Sequence, residues 1–269
     1  MTETFDPCAC ADVPALDLEL FYQPIVCAFS SRVMGAEALS RIVVNEKAVT
    51  AMPLIRDMDV DRRIMLDRWA TCSALHATDY WRSRGISVPV HVNIGAAAHS
   101  AESASEFFFW LKSLDIDYSL LTLEITEHDR VTDHECAAGL IQECRKLGLE
   151  IAVDDFGLGY ATFEFLRQIP TDLVKIDRRF VGRITSDARS ATIVRGAIDL
   201  AHSLGTRVVA EGVEDDETWG WLQEAGCDLI QGHVVERAIA RERFAEWHEV
   251  WRRPRRQTRK GAGTVFPWQ

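Results

Sequence analysis

Eight short apolar, β-branched runs recur along the sequence: LELFYQPIV, VMGAEALSRI, VPVHVNIG, LLTLEIT, LEIAVDD, DLVKID, RVVAEGV and DLIQGHVV. Longer amphipathic segments separate most of them, which gives strands joined by helical crossovers, and such crossovers let strands run parallel. Eight units of this kind in 269 residues predict an α/β fold, a TIM-like (β/α)8 barrel, with its active site at the C-terminal ends of the strands. The first two runs break the pattern. Only CAFSSR joins them, too short for a parallel crossover, so the barrel is expected to begin with an antiparallel first strand in a hairpin. Crossover helices are expected around residues 54–84, 133–147, 188–205 and 215–226. In the first of these, Leu54, Met58, Ile64, Leu66 and Trp69 fall near one helical face, which reads as core.

The formal charge is −11, and six of the positive charges, Arg252, Arg253, Arg255, Arg256, Arg259 and Lys260, follow the last acid, Glu249. Residues 1–251 therefore carry −17. A body so acidic repels nucleic acid and any phosphate ligand unless cations intervene. The sequence divides into an N-terminal extension (1–16), a barrel domain (17–251) and a basic C-terminal tail (252–269). The tail reads as a solvated end, with contact to an unknown partner as the alternative. The seven cysteines are odd in number and scattered, with no CxxC pair, so reduced thiols are expected; Cys8 and Cys10 could instead bind metal or sense oxidants. The sequence holds no apolar stretch of about 18 residues and its start lacks signal-peptide features, so a soluble, cytoplasmic protein without membrane insertion is expected.

Polar residues interrupt the apolar runs near their C-terminal ends: Glu37, Asn93, Glu124 with Glu127, Asp154 with Asp155, Lys175 with Asp177, and Glu211 with Glu214. In LTLEITE, strand alternation puts Leu121, Leu123 and Ile125 on one face and Thr122, Glu124 and Thr126 on the other, so Glu124 points into the barrel mouth. Helix caps and first-turn acids account equally well for Glu127 or Asp177 taken singly, but not for the set. A closed barrel brings at least five carboxylates into one ring, where mutual repulsion forces protonation or unfolding unless cations bind. Oxygen ligands with one Asn amide favour Mg²⁺ or Mn²⁺ over zinc. Adjacent Asp154 and Asp155 suggest a shared ligand between two metals, the arrangement that clamps attacking and leaving oxygens in phosphoryl transfer. Lys175 could orient the attacking water or offset charge in the transition state, or simply pair with Asp155 or Asp177.

The ordered set YQPIV, EALSR, VNIG, LEITE, DDFGLGY, VKID, AEGVE and IQG, from Leu18 to about Ala238, resembles the EAL-type cyclic di-GMP phosphodiesterase domain. The resemblance implies two-metal hydrolysis of cyclic di-GMP to linear 5′-pGpG. It implies that Glu37, Asn93, Glu124 and Asp154 hold one Mg²⁺ or Mn²⁺ ion, and that Asp154, Asp155 and Glu211 hold the other. Lys175, Glu211 and Glu37 are then the catalytic set, with Lys175 at the nucleophilic water. Gln23, Leu39, Arg41, Asp177, Glu214 and Gln231 correspond to substrate-binding positions, and Glu127 to a glutamate that steadies the DDFG loop. Calcium is expected to inhibit, and a homodimer is expected with that loop near its contact. Several residues depart from the family pattern: Leu158 where Thr is usual, His233 where Tyr is usual, and a shortened segment after Arg41. The competing reading is a non-catalytic cyclic di-GMP receptor that signals through its surface or a partner; the complete ligand set favours the enzyme. A glycosidase barrel needs two carboxylates and leaves the Asn, the Lys and the surplus acids without a role.

Overall fold

The computed structural model describes residues 18–44, 47–95, 100–114, 116–126, 134–157 and 170–251. Glu127, Leu158, Cys8, Cys10 and the basic stretch 252–269 lie outside the described residues. Strands β1 (Leu18–Cys27) and β2 (Val33–Val44) form the expected antiparallel hairpin, with Gln23 opposite Glu37. Its turn is tied by the Cys27 N–H donating to the Arg32 carbonyl, with Ser31 left-handed at φ 58°. Strand β3 (Lys47–Thr50) folds back on the end of β2. From β2 the sheet runs parallel through β4 (Val90–Asn93), β5 (Leu121–Thr126), β6 (Glu150–Phe156), β7 (Leu173–Ile176), β8 (Arg207–Ala210) and β9 (Leu229–Gln231). The barrel closes where β9 meets β1, antiparallel, with Ile25 opposite Gln231. A short β10 (Ile239–Ala240) pairs antiparallel with β1 at Phe21 and Tyr22. The fold is thus the expected eight-stranded barrel, with β1 as its one reversed strand.

Helices α1 (Met52–Arg56), α2 (Val60–Arg82), α3 (Ala101–Lys112), α4 (His134–Lys146), α5 (Arg178–Val181), α6 (Ala188–Ser203), α7 (Asp216–Glu224) and α8 (Arg241–Trp251) make up the helical layer among the described residues. The single helix expected around 54–84 is two. Asp59 is extended and its carboxylate accepts the Arg62 N–H at 2.9 Å, satisfying one of the free donors at the start of α2. Leu54 and Met58 therefore do not belong to the α2 face. That face is Leu66, Ala70, Ala74, Ala77 and Trp81, all buried, at spacings of three and four residues that keep them on one stripe.

Strand alternation sorts the core into two shells. Outward residues such as Leu121, Leu123 and Ile125 pack with Phe107, Leu111, Ile141 and Cys144 of the helices. Inside the barrel, Ile25, Ala152, Leu173, Val209 and Leu229 form a separate apolar cluster that plugs its lower half. On the outside, Trp81 anchors α2 and α8 together: it is fully buried, stacks on Phe244 at 4.2 Å, meets Tyr22 edge-on at 4.9 Å and donates to the Arg241 carbonyl at 3.0 Å. Trp81→Ala is expected to cost about 3–5 kcal/mol, because it loses the transfer term, leaves a cavity and orphans that carbonyl. Urea unfolding measures this, and a loss under about 1 kcal/mol would show that the layer collapses to fill the gap.

Candidate active site

The side-chain period of two raises polar groups above the apolar plug. Two residues nearer the mouth from Ile25, Ala152, Leu173, Val209 and Leu229 stand Gln23, Asp154, Lys175, Glu211 and Gln231. The other three strands add Glu37, Asn93 and Glu124, so every barrel strand aims one polar residue at the same space. Lys175 sits at the centre, fully buried. Its Nζ lies 2.8 Å from Glu211 Oε1, 2.9 Å from Glu124 Oε2, 3.2 Å from Asp154 Oδ1 and 3.3 Å from Glu37 Oε2. Burial opposes charge on this ammonium, but Asp154, Glu124, Glu211 and Glu37 outweigh it and hold the group charged well above the ordinary lysine range.

One lysine does not neutralise the ring. Burial, with the neighbouring acids adding to it, pushes Glu124 up to about 7 and raises Glu37 and Glu211 as well. Oxygens of Glu37, Glu124 and Asp154 lie within 4.8 Å of one another, and so do oxygens of Asp154, Asp155 and Glu211. Asp154 is common to both groups. When all are ionised, five carboxylates against one ammonium leave four negative charges in excess, the charge of two divalent cations, and an all-oxygen donor set suits hard ions. The residues present therefore fit a pair of such ions.

Adjacent strand residues ordinarily point to opposite faces, so Asp154 and Asp155 need a special backbone to share a site. Asp155 is left-handed at φ 57°, and the pairing of β6 with β7 shifts register between Val153 and Phe156. This bulge swings both carboxylates to one side, and Asp154 Oδ1 is steadied by the Asp155 N–H at 2.9 Å. Non-glycine residues in this region are few, with Asp among the types that tolerate it, and such strain clusters at functional sites.

Glu37 is held by Gln231 Nε2, which donates to Oε2 at 2.6 Å, and by Asn93 Nδ2 at 3.4 Å. Gln231 also donates to Gln23 Oε1 at 3.3 Å, which links the two strands that close the barrel. Leu39 and Arg41 continue up the same face of β2; Arg41 is half-buried, and burial lowers its pKa while Glu37 opposes the shift. Asp177 caps α5: its Oδ1 accepts the Arg179 N–H at 2.8 Å and Arg179 Nε at 2.9 Å. Glu214 stands exposed at the rim, 3.8 Å from His233 Nδ1.

Sequence reasoning passed over His91. It lies on the inward face of β4 two residues below Asn93, is 2 % exposed, and its Nδ1 is 2.9 Å from Glu124 Oε1. Burial, with Lys175 adding to it, holds the ring down at about 4. Alternation within VPVHVNIG carries the signal, since it places His91 on the face of Asn93. Gly35 makes the room: a Cβ there would lie 2.7 Å from His91 Nε2 and 3.1 Å from Cδ2. Gly35→Ala is expected to destabilise the protein by about 1–3 kcal/mol through overpacking beneath the acids. The check is the urea midpoint at unchanged slope, and a wild-type midpoint would show that the ring moves aside freely.

A family model described as the EAL domain matches residues 13–238. A cyclic di-GMP phosphodiesterase of Pseudomonas aeruginosa is 32% identical over 233 residues, covering 85% of this chain and 39% of its own length. The chain thus spans about two fifths of that relative, 39%. Among solved structures, the EAL enzyme Bd1971 in its cAMP and cyclic-di-GMP bound form aligns with TM-score 0.77 at 29% identity, covering 86% of this chain and 65% of that one. The manganese/cy-diGMP complex of Klebsiella pneumoniae BlrP1 aligns with TM-score 0.71 at 25% identity, covering 84% and 57%.

Proposed function

The chain belongs to the EAL domain family, and from that membership we propose that it is a phosphodiesterase that opens one ester of cyclic di-GMP to give linear 5′-pGpG. The observation that carries the reading is the pair of carboxylate clusters sharing Asp154 around Lys175. A pair of Mg²⁺ or Mn²⁺ ions would be held by Glu37, Asn93, Glu124 and Asp154 on one side and by Asp154, Asp155 and Glu211 on the other. When bound, such a pair lowers the pKa of water and stabilises both the attacking and leaving oxygens.

The remaining roles fall to the chain's own side chains. Lys175, fixed by four carboxylates at 2.8–3.3 Å, has little freedom left and orients a water near the acids. Arg41 offers a planar fork to a phosphate oxygen of the dianionic ligand. Gln23, Leu39, Asp177, Glu214 and Gln231 are assigned to the dinucleotide, with Asp177 already committed through one oxygen to its capping bonds. Gln231 is 3 % exposed and its Oε1 has no partner among the described residues, an acceptor that a ligand donor would satisfy. Glu127 is assigned to steadying the loop after Asp155. A homodimer and a cytoplasmic location complete the proposal. No helix among the described residues is long and apolar enough to cross a membrane.

The test is incubation of the purified chain with cyclic di-GMP and Mg²⁺ or Mn²⁺, with the products resolved by mass. Linear 5′-pGpG is the expected product, and its absence alongside tight binding would make the chain a receptor. Excess Ca²⁺ is expected to suppress product formation, because its bonds of about 2.3–2.6 Å and looser geometry spread the carboxylates and misplace the reacting groups. Full activity in Ca²⁺ alone would contradict that account. Light scattering at micromolar concentration reads the dimer.

A further inference from the structure

We propose that His91 is a positioning residue of this centre: from the row beneath the acids it fixes the Glu124 carboxylate, leaving one oxygen turned toward Glu37, Asp154 and Lys175. The inference rests on the two-cation reading above. Glu124 is fully buried, so water meets neither of its oxygens and each needs a partner. Oε2 lies 2.9 Å from Lys175 Nζ, on the side where that ammonium also reaches Glu37 and Asp154. Oε1 lies 2.9 Å from His91 Nδ1. An ionised carboxylate only accepts, so this contact places a ring proton on Nδ1.

The surroundings make the ring a fixed donor. His91 is 2 % exposed, and Nε2 passes through the space that a Cβ on Gly35 would fill. The inward residues two below the polar ring on the other strands are Ile25, Gly35, Thr122, Ala152, Leu173, Val209 and Leu229, and none has a charged side chain. Thr122 pairs in register with His91, yet its buried hydroxyl has no hydrogen-bond partner among the described residues, so it does not share the task. The terminal torsion of a glutamate is broad and nearly two-fold. Without the Nδ1–H, Glu124 is free to turn both oxygens onto Lys175 and withdraw from the group it forms with Glu37 and Asp154. A partner of this kind behind a metal ligand is typically worth about 10–100-fold in affinity or activity.

Two substitutions separate positioning from filling. His91→Asn keeps an N–H near the place of Nδ1, whereas His91→Leu keeps bulk and loses the donor. The measurements are Mn²⁺ titration by calorimetry, thermal melting, kcat and KM for cyclic di-GMP, and the ring ¹⁵N spectrum of the Mg²⁺-loaded wild type. The Leu variant is expected to bind Mn²⁺ about 10–100-fold more weakly, with kcat reduced and KM little changed, and the Asn variant to recover most of the loss. The wild-type ring is expected to carry its proton on Nδ1. Wild-type Mn²⁺ affinity in the Leu variant, equal losses in both variants, or a ring proton on Nε2 alone would overturn the proposal. A wild type that takes up no Mn²⁺ fails the two-cation reading itself. Should the Leu variant not fold, the Asn variant and the wild-type ring spectrum decide.

Discussion

Glu211→Ala is expected to abolish 5′-pGpG formation while sparing most of the affinity for cyclic di-GMP. Glu211 stands just past the end of β8, its N–H donating to the Ile176 carbonyl at 3.1 Å, and its carboxylate reaches both Lys175 and the group formed with Asp154 and Asp155. Removing it takes one of three carboxylates from that group and one of four from Lys175, so on the proposed two-cation reading one cation loses a ligand and the lysine loses an anchor together. The fall in kcat should be at least about 10²–10³-fold, the loss that follows removal of a single preorganised stabilising group. On the proposed reading, binding falls to Arg41, Gln23 and Gln231 and to the other group, Glu37, Glu124 and Asp154, all of which Glu211→Ala leaves in place. Glu37→Ala is the contrasting variant. It dismantles the cluster beside Arg41 and releases Gln231, so affinity itself should drop. Product formation and calorimetric affinity, measured for both variants in Mg²⁺ and in Ca²⁺, separate the cases. Wild-type turnover in Glu211→Ala would end the assignment.

The parts of this fold that read cleanly from sequence are those governed by one period at a time. All eight barrel strands carry apolar, β-branched runs because strands of a helix-covered barrel are buried on both faces, and Glu37, Asn93, Glu124, Asp154, Lys175 and Glu211, which break those runs, converge. The elements that escaped have weak or mixed signals. Strand β3 is exposed along its length, so no buried face marks it. Helix α3 contains the unbroken EFFFW, which has no 3.6-residue rhythm to count although Phe107 and Leu111 are buried and Phe109 is 70 % exposed. The break between α1 and α2 depends on a cap at Asp59 in a stretch, RDMDVDRR, that has other acids equally able to cap.

The same contrast holds inside the site. Adjacent Asp154 and Asp155 suggested a shared centre, but strand periodicity alone sends them to opposite faces; the left-handed backbone at Asp155 is a tertiary outcome of the bulge against β7. His91 was legible in principle. The residue types that ligate hard cations stand out in the sequence, whereas a histidine behind one of them does not. Asp177 shows the reverse difficulty: a cap and a substrate contact use the same residue type at a strand end, and the capping bonds to Arg179 are what the fold displays.

Lys175→Met is expected to produce a large loss of stability, and a loss that divalent cations reverse in part. In the wild type, one fully buried ammonium meets four carboxylates at 2.8–3.3 Å, two of them, Glu37 and Glu124, buried themselves. Substituting a neutral side chain of similar length keeps the packing and deletes the charge. Breaking a buried ion pair by removing one partner typically costs about 3–5 kcal/mol, because the other charges stay behind without compensation. Here several are left behind at once, so without added metal the cost should reach the top of that range. Ligand binding to the native state stabilises it by mass action, and the variant presents cations with a more negative ring than the wild type does. Mn²⁺ should therefore raise the melting temperature of Lys175→Met by more than it raises that of the wild type, while turnover stays lost because the orienting ammonium is gone. The measurement is urea and thermal unfolding of both proteins in chelator and in saturating Mn²⁺. Equal stability in chelator would show that the acids release their strain by taking up protons. An equal cation-induced shift in the two proteins would mean that Lys175 and the cations do not share the work of neutralising the ring.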